Sequence, residues 1–332
     1  MTDRRLLLLH TGGTLGMRPT EWGWEPGADL AGWLSGLMTE QLPDVAWDLV
    51  SLEPLIDSSN ARPAEWQRIV DSVRQHRGSH QAFVVLHGTD TLAFSAAATH
   101  LALAGTGLPV VFTGAQRSFV VDGSDAPGNV LGAIRCALDE RLSRVALYFD
   151  GVLLAAEHAT KTSASDDHGF DSPNLAPLAR RTDDGELMFA RDPHAAEEPL
   201  VADPLPYRPC DLVVLTLHPG LTADRLAAQL TPPPQAVVLR AYGSGNAPDD
   251  DPALLAALSR VGEAGTVVVV TTQCPHGAVH LGHYAVSQAL LSTGAVSGGG
   301  LTTEALVALL TFLLSQGLGP DEVRALLRRA VG

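Results

Sequence analysis

The sequence predicts an α/β protein of two domains, a larger N-terminal α/β domain built on a parallel sheet and a smaller C-terminal α/β domain. Three observations carry that expectation. Short apolar runs bounded by glycine recur along the chain, as buried parallel strands do. Segments with apolar residues at helical spacing alternate with those runs, the pattern of a sheet covered by helices. The chain has 332 residues, enough for two domains of roughly 100–200 residues each.

Leu6-Leu7-Leu8-Leu9-His10 reads as the first strand and opens into Thr11-Gly12-Gly13-Thr14. Residues 16–29 follow as a loop with three Gly, two Pro and the tryptophans Trp22 and Trp24. Such a loop is either a mobile lid beside a reactive residue or an ordinary connection whose tryptophans pack on the core. Arg62-Pro63 starts a helix, proline being tolerated at the first position, and Trp66, Ile69, Val70 and Val73 fall on one face of it. Strand 82–86 ends in His87-Gly88-Thr89-Asp90-Thr91. An alanine-rich helix to residue 104, strand 109–112 ending in Thr113-Gly114-Ala115-Gln116, helix 129–138 and strand 145–149 complete the pattern.

The loop 155–173 holds Glu157, His158, Lys161, Asp166, Asp167, His168 and Asp171, and most of these charges are expected in solvent. Asp183-Asp184-Gly185, Asp192-Pro193, Glu197-Glu198-Pro199 and Asp203-Pro204-Leu205-Pro206 are turn and linker chemistry. Strands then resume at 212–217, 236–241 and 266–271, with helices at 222–230, 252–264, 283–291, 303–315 and 320–330. The expected partition is an N-terminal domain over 1–190, a linker over 191–211 and a C-terminal domain over 212–332, without an internal repeat.

The chain is 45% hydrophobic and 18% charged, an ordinary globular composition. Its net charge of −15 argues against nucleic acid, whose phosphates need a basic surface. No apolar stretch approaches the length of about 20 residues that crosses a bilayer, and the run after Arg4-Arg5 is too short for a signal peptide. A cytoplasmic protein without a membrane partner is expected. Cys136, Cys210 and Cys274 indicate neither a disulfide framework nor a zinc site, and no cofactor is expected.

The chemistry concentrates where two strands end. Ligands of open α/β sheets bind beyond the carboxyl ends of the strands, so both threonine-glycine motifs point at one site. A threonine hydroxyl is a weak nucleophile until a base takes its proton. Glycines around Thr14 let a substrate approach the backbone, and N–H groups there suit a carboxylate or oxyanion. The spacing is neither a phosphate-binding loop nor a dinucleotide fingerprint. Thr89-Asp90 pairs a hydroxyl with a carboxylate. Lys161, the only lysine in the chain, is the candidate to deprotonate a threonine with Asp90 holding it in place.

With these motifs in order, and with Asp57-Ser58-Ser59, Gly169-Phe170-Asp171, Ser172-Pro173-Asn174, Arg240-Ala241-Tyr242-Gly243-Ser244-Gly245-Asn246-Ala247-Pro248 and Thr272-Gln273-Cys274, the chain resembles the bacterial L-asparaginases of the cytoplasmic type I group over nearly its whole length. The resemblance implies a larger N-terminal and a smaller C-terminal α/β domain, and tight dimers often paired into tetramers. It also implies hydrolysis of a small amino-acid amide, L-asparagine, to L-aspartate and ammonia. Thr14 would be the nucleophile, with Thr89, Asp90 and Lys161 as the second catalytic trio. Ser58 or Ser59 and Asp90 would grip the amino-acid head group, backbone around Thr89 and Ala115 would hold the oxyanion, and Asn246 would reach a neighbouring subunit's site. Arg240, Thr272 and Cys274 match a regulatory asparagine site, or serve as core and interface structure.

One departure stands out. The family's lid tyrosine, partner of the first threonine, is here Trp24. An indole donates a hydrogen bond but cannot accept a proton as a phenolate can. Glu21, Glu25 or water would then take that role, or the work would shift to Thr89 and Lys161. Asn60 stands where relatives tend to carry aspartate. The competing expectations are a glutaminase-asparaginase of broader specificity and a catalytically weak asparagine-binding sensor. The first strand begins at the start of the chain, so the role of the related tRNA-dependent amidotransferase subunits, which carry an extra N-terminal domain, is not expected.

Overall fold

The computed structural model describes residues 4–182, 184–190, 198–248, 250–282 and 285–331. The chain forms two compact units, Met1–Pro199 and Leu200–Gly332. Residues 191–197, within the expected linker, Asp183 and His283 lie outside the described residues.

The first unit begins with β1 (Leu6–His10), a hairpin of β2 (Met17–Thr20) and β3 (Gly23–Pro26), α1 (Leu30–Gln41) and β4 (Trp47–Ser51). Next come α2 (Pro63–His76), β5 (Ala82–Leu86), α3 (Leu92–Leu103), β6 (Val110–Thr113), α4 (Ala126–Leu138) and β7 (Val145–Phe149). The unit ends with β8 (Val152–Ala155), β9 (Thr160–Lys161), β10 (Phe170–Asp171), β11 (Ala179–Arg181) and β12 (Leu187–Phe189). Its main sheet runs β12-β11-β8-β7-β6-β5-β1-β4. The strands from β4 to β7 are parallel, as their apolar runs require. The expected parallel sheet is extended by β8, β11 and β12, which pair antiparallel. Val152–Ala155 can follow β7 that way because Asp150-Gly151 makes a tight turn, both residues at positive φ.

Every residue of β1 and β5 is buried, as fits strands covered on both faces. Trp66, Ile69, Val70 and Val73 of α2 face the core together. The Glu65 carboxylate accepts from the Arg62 N–H at 2.9 Å, which satisfies one orphan donor at the start of that helix. Helix α3 is buried almost all round, so its alanines let it pack closely. α1 and the edge strand β4 escaped the sequence reading. β4 is only partly buried and α1 buries just Leu30, Leu34 and Met38, so the apolar pattern is sparse in both.

The strand order decides where the site lies. From β1 the chain moves to β4 on one side, then crosses to β5 on the other and continues outward. The carboxyl ends of β1 and β5 therefore flank the topological switch point of the sheet, where a crevice opens.

The second unit is a four-stranded parallel sheet in sequence order: β13 (Leu212–Thr216), β14 (Ala236–Ala241), β15 (Val267–Thr272) and β16 (Val296–Ser297). Helices α5 (Ala223–Gln229), α6 (Pro252–Glu263), α7 (Ala285–Ser292), α8 (Thr303–Ser315) and α9 (Pro320–Val331) accompany it. Helix α9 buries Val323 and Leu327, with Asp321 and Glu322 in its first turn and Arg328 and Arg329 in its last, the arrangement its dipole favours.

Candidate active site

The two threonine-glycine motifs leave neighbouring strands. In β1 and β5, His10 is level with Leu86. Beyond them the Thr11 N–H donates to the Leu86 carbonyl at 2.9 Å, and the Thr11 hydroxyl reaches the same oxygen at 3.0 Å. The glycines then meet. A methyl group on Gly13 would lie 2.3 Å from the Gly88 Cα, and one on Gly88 would lie 2.4 Å from the Ser58 Oγ. Gly13 holds φ 96° and ψ 175°, a conformation open essentially to glycine alone. Three loops, those carrying Thr14, Ser58 and Thr89, thus converge because two side chains are missing.

Lys161 on β9 closes the trio. Its Nζ donates to the Thr89 Oγ1 at 2.9 Å and to the Asp90 Oδ1 at 3.0 Å. Thr89 is buried, the lysine side chain is 22% exposed and that of Asp90 is 62% exposed. The ammonium is therefore held between a sheltered hydroxyl and a carboxylate that faces outward. Such charge-assisted bonds are roughly twice as strong as neutral ones. Thr91, next in the motif, donates its hydroxyl to the Ser58 carbonyl at 2.7 Å and so locks the serine loop onto the lysine-bearing site.

The histidines that end the motif strands are both buried. Burial pushes His87 down to about 4, although its hydrogen bond to the Gly88 carbonyl, 2.8 Å from Nδ1, acts in the opposite direction. His10 is likewise lowered to about 4 by burial. Both rings are neutral near pH 7, with Nε2 buried and without a hydrogen-bond partner among the described residues.

Between Ser58 and Ser59, which the sequence left open, the two residues have different surroundings. Ser58 is 5% exposed and sits against Gly88. Ser59 is exposed, and its hydroxyl is engaged by Asp57 at 2.9 Å. Ala115 is buried beyond β6. The sequence reading missed what supports it. Asp125 accepts the Gln116 and Arg117 N–H groups at 2.8 and 2.9 Å, and Asn129 donates to Asp125 and to the Gly114 carbonyl. No local motif announces that network, because its members are gathered from β6 and the start of α4.

Thr14 opens a short 3₁₀ turn, Thr14–Gly16, and its hydroxyl has no hydrogen-bond partner among the described residues. Residues 16–29, left open as lid or connection, contain the hairpin of β2 and β3, with Trp24 level with Pro19. Trp22 is 84% and Trp24 49% exposed, so these tryptophans do not pack on the core. Beneath the hairpin lies a cleft of about 500 Å³ lined by His10, Gly13, Gly16, Trp24 and Asp57 among others. The expectation of solvated charges over 155–173 holds for Asp166, Asp167 and His168, which are exposed, and fails for Glu157. That carboxylate is paired with Arg144 at 2.5 Å.

In the second unit, Arg240, Asn246, Thr272 and Cys274 gather at the carboxyl ends of β14 and β15. The Thr272 hydroxyl donates to the Gly243 carbonyl at 2.6 Å and accepts from the Cys274 N–H at 3.0 Å. The Gln273 amide donates to the Arg240 carbonyl at 2.9 Å. The backbone of Asn246 pairs with Tyr242 in both directions.

Residues 5–195 match the family described as Asparaginase, N-terminal, and residues 211–327 match the Glutaminase/Asparaginase C-terminal domain. The chain belongs to the asparaginase family. It is 35% identical to L-asparaginase 1 of Escherichia coli K12 over 329 residues, 98% of this chain and 96% of that one. It is 34% identical to the 60 kDa lysophospholipase of Mus musculus over 98% of this chain and 62% of the other. Among solved structures, L-asparaginase I of Vibrio cholerae superposes with a TM-score of 0.88 at 32% identity, covering 98% of this chain and 97% of that chain. This asparaginase-family chain is an amide hydrolase. No helix among its described residues is long and apolar enough to cross a membrane.

Proposed function

We propose that this amide hydrolase converts L-asparagine to L-aspartate and ammonia through a threonine nucleophile. The Thr14 Oγ attacks the side-chain amide carbon as the hydroxyl proton passes to a base. The C–N bond then breaks, nitrogen takes a proton and leaves as ammonia, and an aspartyl ester remains on Thr14. Water attacks that ester, the C–O bond to Thr14 breaks, and the threonine recovers its proton. Lys161, Thr89 and Asp90 supply the proton transfers, with Lys161 as the base. Ser58 and Asp90 hold the head group, the carboxylate facing the substrate ammonium. No cofactor enters the reaction.

The observation that carries this reading is the Lys161–Thr89–Asp90 trio joined to the Thr14 loop by the Gly13–Gly88 contact. The test is ammonia release from L-asparagine and L-glutamine, with Thr89→Val and Lys161→Met alongside. A properly placed base contributes about 10²–10⁴-fold, and each variant is expected to lose at least 10²-fold in kcat. Asparagine is expected to be preferred. Glutamine adds one methylene, and discrimination on that basis is worth about 1–3 kcal/mol. Preferred glutamine turnover would replace this reading with the broader enzyme. Two observations favour the sensor reading: Trp24 cannot take a proton, and Thr14 has no bonded base among the described residues. Asparagine binding without ammonia release would establish that reading. We further propose a homodimer or homotetramer with Asn246 completing a neighbouring site, and a regulatory asparagine site at Arg240, Thr272 and Cys274. Light scattering and the Hill coefficient of Arg240→Ala test these two.

A further inference from the structure

The geometry points to Glu157 as a positioning residue that sets where Lys161 stands, by pinning the segment before the lysine to the far end of α3. Three placements bring this about. Thr89 and Asp90 lie just ahead of α3, and Lys161 is bonded to both. His100 lies near the other end of the same helix, and its Nε2 is 3.8 Å from the Glu157 Oε2. Arg144, directly before β7, holds the other carboxylate oxygen with its guanidinium 2.5 Å from Oε1.

The lengths agree. Asp90 to His100 spans about 15 Å at the helical rise. Glu157 to Lys161 spans at most about 14 Å of extended chain. The segment therefore runs antiparallel to α3 as a strap fixed at both ends, one end by the Glu157 ion cluster and the other by the catalytic trio. The strap needs such an anchor because its own secondary structure is slight. It comprises a 3₁₀ turn, Ala156–His158, and a two-residue strand paired, among the described residues, with Phe170–Asp171 alone. Burial opposes the charge of Glu157, yet His100 and Arg144, with a smaller contribution from His158, hold it down at about 2. The anchor is thus charged at any pH at which the enzyme works. A sheltered carboxylate facing a guanidinium and an imidazole is stabilising only while the cluster stays complete, so the strap has one favoured position.

This inference rests on the reading of Lys161 as a working member of the trio, and the experiment separates the two. Glu157→Gln keeps the shape and removes the charge. A reacting group displaced by about 1 Å loses up to about 10²-fold in rate. We expect Glu157→Gln to lower kcat for asparagine hydrolysis by about 10-fold to 10²-fold with KM within about twofold, since Lys161 serves the chemical step. Glu157→Asp, which keeps the charge, recovers part of the loss. Asp48→Asn supplies the control, because it removes a different ion network of the same unit, to Arg5 and His80, and leaves kcat unchanged. A folded Glu157→Gln enzyme with the parent kcat, beside an inactive Lys161→Met, overturns the strap alone. A Lys161→Met enzyme of parent kcat overturns the strap and the catalytic reading together. Should Glu157→Gln fail to fold, His100→Gln decides. A fall in kcat at constant KM supports the strap, and an unchanged kcat overturns it.

Discussion

Replacing Gly13 by alanine tests whether the three converging loops act as one rigid site. The added methyl would stand 2.3 Å from the Gly88 Cα and 2.5 Å from its nitrogen. Ordinary contact begins near 3.4 Å, so the Thr14 loop must retreat from the Thr89 loop by about 1 Å. A misplacement of that size costs about 10²-fold in rate, equivalent to about 3 kcal/mol of barrier. The backbone at φ 96° adds strain of about 1–3 kcal/mol, which lowers Tm by several degrees at about 2–4 °C per kcal/mol for a unit of this size. The assay is ammonia release from L-asparagine, with folding followed by circular dichroism. Gly36→Ala is the control: it lies in α1, with nothing within 4 Å of the new methyl. That change should raise stability by about 0.5–1 kcal/mol and leave the rate alone. A folded Gly13→Ala enzyme with kcat within about threefold of the parent would refute the claim that contact at Gly88 sets the position of the Thr14 loop.

Three further outcomes are expected. Trp24→Tyr restores a side chain able to exchange a proton, and should raise kcat by up to about tenfold; this is less than the roughly 10²-fold of a fully placed base, because position 24 is 49% exposed. A drop in kcat would instead give the indole a role of its own. Stability should depend on pH through the buried histidines. His87 is lowered to about 4 when folded against 6.5 in the open chain, so the unfolded state binds more protons between those values. The stabilisation is full above pH about 6.5 and is lost as pH falls toward 4, by roughly 3 kcal/mol for this residue. Urea titrations at pH 7.5 and 5 read it, and equal midpoints would contradict the burial of the neutral ring. Finally, Cys274 is exposed while Cys136 is buried, and burial pushes the Cys136 thiol up. Mass spectrometry after brief exposure to a thiol reagent should find Cys274 modified and Cys136 intact until the protein unfolds, and early labelling of Cys136 would show that its helix opens.

Much of the candidate site was legible because its chemistry is local in sequence. Thr14 and Thr89 follow apolar runs that end in histidine and glycine, and a single lysine narrows the choice of base to Lys161. The strongest elements, α2 and β5, were equally plain, because α2 buries one apolar stripe at helical spacing and β5 is buried throughout. The weakly buried elements, β4 and the hairpin carrying Trp24, leave no such imprint. Glu157 went unrecognised for a related reason: in one dimension it is one charge among several in a polar loop, and its partners His100 and Arg144 come from distant segments.

The sequence by itself determined the fold class, the alternation of strand and helix, and the residue types able to carry out amide hydrolysis, because periodicity and side-chain chemistry are local properties. Only the tertiary structure decided which of these residues meet. The crossing from β4 over β1 to β5 creates the switch point, the missing side chains of Gly13 and Gly88 let the threonine loops touch, and the run from Glu157 to Lys161 along α3 brings the lysine to Thr89. These contacts join residues far apart along the chain, and their distances follow from strand order and close packing, which no local stretch of sequence encodes.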